Sequence, residues 1–98
     1  MTGCSTSGVL GSSGVVSSNR CKLISVYVSS ISSNTNVIKI FDHASAASGN
    51  EIIRINTNAA NNVTAFNQEY DMHGAIAANG LYCSITGSGS CSVTVNFA

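Results

Sequence analysis

The four cysteines, Cys4, Cys21, Cys83 and Cys91, are the residues of this chain with the most distinctive chemistry. A thiol can serve as a metal ligand, a disulfide partner or a small buried apolar group. A metal site needs three or four ligands that converge, and the spacing of these residues supplies no such set. Cys83 and Cys91 therefore have three interpretations: a disulfide with each other, two buried free thiols, or disulfides with other cysteines.

The remaining two cysteines differ in their surroundings. Cys4 lies in a stretch rich in Gly and Ser, and Cys21 begins a run of alternating apolar residues. An exposed, flexible position is the most accessible to a second chain. We therefore take Cys4 and Cys21 as the candidates for a disulfide between chains, with Cys4 the better placed of the two.

Histidines and carboxylates are the next candidates for chemistry. His43 follows Asp42, and His73 lies two residues after Asp71, so that the second pair would share one face of a strand. Catalysis at such a pair normally requires further convergent groups. The chain also lacks a Gly-x-Ser-x-Gly motif. We therefore predict polar loop contacts for the histidines, no enzymatic activity, no bound metal and no cofactor.

These residues must be positioned by β-strands, because apolar and polar residues alternate through most of the chain. The pattern predicts strands at about 21–29, 36–42, 51–57 and 63–72, with 73–78 either a short strand or a loop. Residues 79–98 add two alternating runs around a Gly-Ser segment, which predicts a hairpin with Cys83 opposite Cys91. The expected fold is all-β: an antiparallel β-sandwich or small jelly roll of six to seven strands.

Residues 1–20 differ in composition from the rest. Gly and Ser dominate them, so we predict a flexible arm at 1–20 and a β-sandwich domain at 21–98. The two apolar pairs of this arm are candidates for contacts with a neighbouring subunit, to which an extended segment can add a strand. They are Val9, Leu10, Val15 and Val16.

The composition limits the kind of partner. Only 8% of the 98 residues are charged, and the net charge is zero. No electrostatic field would draw nucleic acid, and no apolar run is long enough to cross a bilayer, so we expect neither partner. No secretion signal is visible either, which favours folding in a cytosol. So few charges protect a surface poorly against association, which favours an oligomer.

Two stretches of the sequence resemble a known type of protein. The first is KLISVYV at 22–28 with NVIKIFDHASAASGNEIIRI at 36–55; the second is HGAIAANGLYCSITG at 73–87 with CSVTVNF at 91–97. Together they resemble small β-sandwich virion proteins of tailed phages, especially those that infect cyanobacteria. In that type an I-K-I-F-D-like strand, a G-x-x-x-x-N-G-L-Y turn and a terminal S-V-T-V strand occur in this order. The resemblance covers about residues 21–98.

The resemblance implies a capsid decoration, or cement, protein. Such a protein is assembled in the host cytoplasm and binds the major capsid protein on the capsid surface of the virion, as a homotrimer. Cys83 and Cys91 depart from the apolar or Thr residues of this type, which implies reinforcement by disulfides. Related proteins are also parts of head or tail fibres. The alternative is thus a carbohydrate- or receptor-binding role, for which Tyr27, Tyr70 and Tyr82 are the candidate residues.

Overall fold

The structure consists of two four-stranded antiparallel sheets that face each other across a shared core. The computed structural model describes residues 4–30, 36–57, 66–87 and 91–98. Within these ranges there is no helix, and therefore none that could cross a membrane. The prediction of an all-β antiparallel sandwich is confirmed.

The described residues form eight strands, rather than the six or seven that the sequence predicts. They are β1 (Ser5–Leu10), β2 (Gly14–Ser17), β3 (Cys21–Ser30), β4 (Asn36–Asp42), β5 (Asn50–Asn56), β6 (Phe66–Ala77), β7 (Leu81–Gly87) and β8 (Cys91–Phe97). The predicted strand at 63–72 corresponds to β6, although its residues 63–65 lie outside the described part. Of the segment at 73–78, for which we expected a short strand or a loop, residues 73–77 continue β6.

The connections between the strands are those of a jelly roll. The first sheet, sheet A, has the order β1-β8-β3-β6, and the second, sheet B, has the order β2-β7-β4-β5. Strand β1 therefore pairs with β8, β2 with β7, β3 with β6, and β4 with β5, as four nested antiparallel pairs. Nested pairs of this kind arise when one long antiparallel ribbon wraps into two sheets, which is the jelly-roll arrangement.

The two additional strands come from the segment for which we expected a flexible arm. The structure places β1 at the edge of sheet A and β2 at the edge of sheet B. Serine side chains add hydrogen bonds to the pairing. Ser7 Oγ, in the irregular part of β1, accepts a hydrogen bond from Val95 N at 2.8 Å, and Ser13 Oγ, just before β2, accepts one from Ile85 N at 2.8 Å. Hydroxyl groups thus replace some of the backbone hydrogen bonds between strands, in a segment whose composition is typical of a linker.

The prediction of a C-terminal hairpin is wrong. Strand β7 lies in sheet B and β8 in sheet A, so the two do not pair. In the ladders, Cys83 lies opposite Ile40 and Gly14, whereas Cys91 lies opposite Ser30. Strict alternation shows that one face of each strand is buried, but it does not show which strand is the neighbour. The same pattern fits a hairpin and two strands that face each other across a core.

The core is formed by the inward residues of both sheets. Its fully buried members include Leu23, Val26, Val28, Val93 and Val95 from sheet A, and Ile38, Ile40, Leu81 and Cys83 from sheet B. Burying a Val, Leu or Ile side chain is worth about 1.5–3 kcal/mol, so this layer is the main source of stability.

Gly80 makes the sharp passage from β6 in sheet A to β7 in sheet B. It is buried, and its φ of 143° lies in a region that residues with a side chain rarely adopt. A Cβ atom at this position would overlap the Ser17 carbonyl oxygen and would lie 3.0 Å from Ala44 Cα. The chain therefore passes through a space that only glycine fits.

We predict that Gly80→Ala lowers the free energy of unfolding by about 3 kcal/mol, because backbone atoms rather than flexible side chains must move. Urea unfolding followed by circular dichroism measures this. Gly14→Ala is the matched control, since a Cβ there meets no atom within 4 Å and its φ is not positive. Equal stability of the two variants would contradict the steric argument.

Candidate functional site

Asp42 and His43 hold the loop that follows β4. The Nδ1 atom of His43 accepts hydrogen bonds from the backbone N–H groups of Ser45 at 3.1 Å and Ala46 at 3.0 Å. Asp42 Oδ1 accepts one from Asn79 N at 2.7 Å. These are the polar loop contacts that the sequence predicts for this histidine. Each side chain stabilises backbone turns in a region where main-chain groups have no ladder partner.

His73 and Asp71 lie at an irregularity of the edge strand β6. Asp71 Oδ1 accepts a hydrogen bond from His73 N at 2.9 Å and lies 3.6 Å from His73 Nδ1. His73 has a φ of 53° and Gly74 one of 77°, so the strand bends here. Both side chains are largely exposed. Among the described residues, no three metal-ligating side chains converge here or elsewhere.

The cysteines separate into one exposed thiol and three buried ones, and all four are free. Cys4 is exposed beside the edge of sheet A, at the start of β1. Cys21 and Cys91 are buried on sheet A, and Cys83 is fully buried on sheet B. Burial, together with the proximity of Cys91, raises the pKa of Cys83 to about 12; burial also raises the pKa of Cys91. Cys83 therefore behaves as a small apolar group rather than as a nucleophile.

The two apolar pairs of residues 1–20, Val9–Leu10 and Val15–Val16, each have one inward and one outward side chain. Leu10 and Val16 pack against the core. Val9 is 76% exposed and Val15 is 48% exposed. Only Val9 and Val15 are therefore available for a contact with another subunit.

The outer face of sheet A carries a polar cluster with an aromatic ring at its centre. Tyr27 is 40% exposed and lies between Thr94 of β8 and Glu69 of β6. Asn67 Oδ1 accepts hydrogen bonds from Ser29 Oγ at 2.7 Å and from the Tyr27 hydroxyl at 3.3 Å. The two bonds fix the orientation of the amide, so its NH2 group remains as a donor. We call these five residues the Tyr27 cluster.

The other two tyrosines do not join this cluster. Tyr82 is half-buried on β7 of sheet B, and Tyr70 is half-buried and packs against the core. Alternation along β3 places Tyr27 outward, but Asn67 is 40 residues away in the sequence. Only the pairing of β3 with β6 brings them together, so the sequence alone did not indicate the cluster.

A cavity lies at one end of sheet A, where β3 begins and β6 and β8 end. Its volume is about 200 Å³, and it is lined by Arg20, Cys21, Lys22, Ile76 and Ala98. Lys22 and Ala98 exchange backbone hydrogen bonds of 2.8 and 2.9 Å, which fixes that side of the cavity. Arg20 and Lys22 are exposed, and Ile76 is 56% exposed. We call this the basic cavity; sequence reasoning missed it because its residues come from three segments.

Comparison with family models, with curated proteins and with solved structures found no match for this chain.

We predict that a maleimide reagent at pH 8 labels Cys4 in the native protein much faster than Cys83. With a pKa of about 12, Cys83 is ionised in only about one molecule in ten thousand at that pH, and its sulfur is buried. Mass spectrometry of digested samples gives the rate at each site, and labelling in urea provides the control in which all sites react. Similar native rates for Cys4 and Cys83 would contradict this placement.

Proposed function

We propose that this chain is a structural protein of a phage virion, a capsid decoration protein that binds the head shell as a symmetric oligomer. The observation that carries the proposal is the jelly-roll connection of the eight strands. Viral capsid domains and lectin domains use this architecture. Since one fold serves many functions, the surface must support the proposal separately.

The surface favours a protein that is covered by neighbours. The outer face of sheet A carries hydroxyl and amide side chains, including Ser29, Asn67, Thr94 and Asn96. Neutral groups of this kind cost little to desolvate compared with charges, provided that a partner supplies hydrogen bonds. Val9 and Val15 add exposed apolar area at the edge strands. Such a surface suits contacts with other subunits and with the major capsid protein.

The proposed mechanism is architectural. A symmetric oligomer presents several copies of one contact surface, and simultaneous binding multiplies weak individual contacts. A subunit whose core joins two sheets deforms little, so it resists separation of the capsid proteins that it bridges. The bound oligomer thereby stabilises the expanded shell without any chemical reaction.

We predict that purified protein binds phage heads that lack it and raises the temperature at which those heads release DNA. Sedimentation of heads with bound protein gives the occupancy, and a DNA-binding dye gives the release temperature. Heads that are already fully decorated are the control and should take up no further protein. Failure to bind undecorated heads across a range of protein concentration and salt would refute the decoration role.

The Tyr27 cluster favours a second candidate, a fibre component that binds carbohydrate. The ring of an exposed tyrosine can pack against the C–H face of a sugar, while Glu69, Asn67 and Thr94 offer acceptors and donors for its hydroxyl groups. In the structure these groups surround one exposed ring.

If this candidate holds, a glycan array will identify a bound saccharide, and Tyr27→Ala will weaken its binding at least about tenfold, the loss expected for an aromatic contact. Tyr27→Phe keeps the ring and should retain most of the affinity. Equal affinity of wild type and Tyr27→Ala, or no binding on the array, would exclude carbohydrate binding at this cluster.

A further inference from the structure

The few charges of this chain separate into paired and unpaired groups. Arg54 binds Glu51 in an ion pair of 3.2 Å, and Asp42 accepts a hydrogen bond from Asn79 N. Within the described ranges, Arg20, Lys22, Lys39 and Glu69 form no ion pair, and Asp71 is near only His73. Four of these five groups lie in two places: two cations at the basic cavity, and two acids on β6.

The acids form a compact negative patch. Glu69 and Asp71 are two residues apart on the edge strand β6, so their side chains point to the same side. Both are exposed. Glu69 lies beside Tyr27 and Asp71 beside Ser25, so neutral groups are their neighbours in the ladder. We call these two residues the acidic patch.

The acidic patch and the basic cavity do not neutralise each other within one molecule. Asp71 lies opposite Ser25, and Ile76, which lines the cavity, lies opposite Lys22, so three residues of β3 separate the two positions. At about 3.3 Å per residue of strand the separation is about 10 Å, and within the described residues no ion pair joins the two places. Two like charges held close together at each place repel one another unless an opposite charge binds there.

We propose that the acidic patch of one copy of this chain binds at the basic cavity of a second copy. Opposite charge selects this pairing, because the acidic patch repels the acidic patch of a second copy and attracts its basic cavity. The Arg20 guanidinium is suited to a carboxylate in a forked geometry, and Lys22 supplies a second cation. The cavity, at about 200 Å³, has room for a carboxyl group beside Ile76. This inference rests on the oligomeric part of the proposed function.

The contact determines orientation more than it determines affinity. Exposed ion pairs contribute little to affinity and weaken with salt, so apolar and hydroxyl contacts must supply much of the binding free energy. Two oppositely charged surfaces at different places fit either a twofold pair, in which both contacts form, or a closed ring. The mass of the oligomer distinguishes these arrangements.

Charge reversal tests the proposal. We would compare wild type with R20E/K22E, with E69K/D71K and with the variant that carries all four changes, using sedimentation velocity over a range of protein and NaCl concentration. All four positions are exposed, so the variants should fold, and thermal unfolding verifies this. Lys39→Glu compared with Lys22→Glu is the matched control, with the same charge change outside the cavity.

We expect each double variant to associate at least about tenfold more weakly than wild type, because attraction becomes repulsion. Association should be recovered in an equimolar mixture of the two double variants, because the mixture again brings opposite charges together. The variant that carries all four changes should associate by itself for the same reason. Wild-type association should weaken as salt rises.

Association that is unchanged by either reversal, or that is not recovered by the mixture and the fourfold variant, overturns this contact while leaving the oligomer itself intact. A wild type that remains monomeric at all concentrations overturns both the contact and the oligomer. Binding to undecorated heads is measured independently, so the decoration role is judged separately from this contact.

Discussion

Burial of one face of each sheet against the other is the constraint on which the structure depends. Leu23, Val26 and Val95 of sheet A meet Ile38 and Ile40 of sheet B in a layer without solvent exposure. Because side chains alternate along a strand, every inward residue leaves the next one outside. The core therefore determines which residues form the surface, including Tyr27, Glu69 and Asp71, all of which lie outward on sheet A.

The same constraint explains how much of the fold could be predicted from the sequence. Alternation identified the strands that contribute the core, and it placed Cys83 and Cys91 inward, where the structure has them. It did not identify their neighbours, because pairing depends on contacts between residues far apart in the chain. Strands β7 and β8 illustrate this, since each has the correct buried face and each lies in a different sheet.

At residues 5–17 the composition predicted a flexible arm where the structure has two edge strands, and the reason is a different one. Gly and Ser have little apolar surface to bury, so their frequency indicates a linker. An edge strand, however, needs backbone hydrogen bonds to one neighbour more than it needs a large core contact. Here Ser7 and Ser13 use their hydroxyl groups as acceptors for Val95 N and Ile85 N. The sequence shows the hydroxyl groups but not the strands to which they bind.

A surface with few charges gives each of them more influence on association. In a densely charged protein, one acidic pair would be screened by nearby cations and would select no partner. Here Glu69 and Asp71 lie among hydroxyl and amide groups, and Arg20 and Lys22 lie beside Ile76 and Ala98. Apart from the contact of Asp71 with His73, no described side chain of opposite charge lies within ion-pair distance of either pair. A chain that is neutral overall can therefore still specify how two of its copies meet, because orientation depends on where charges are placed rather than on their sum.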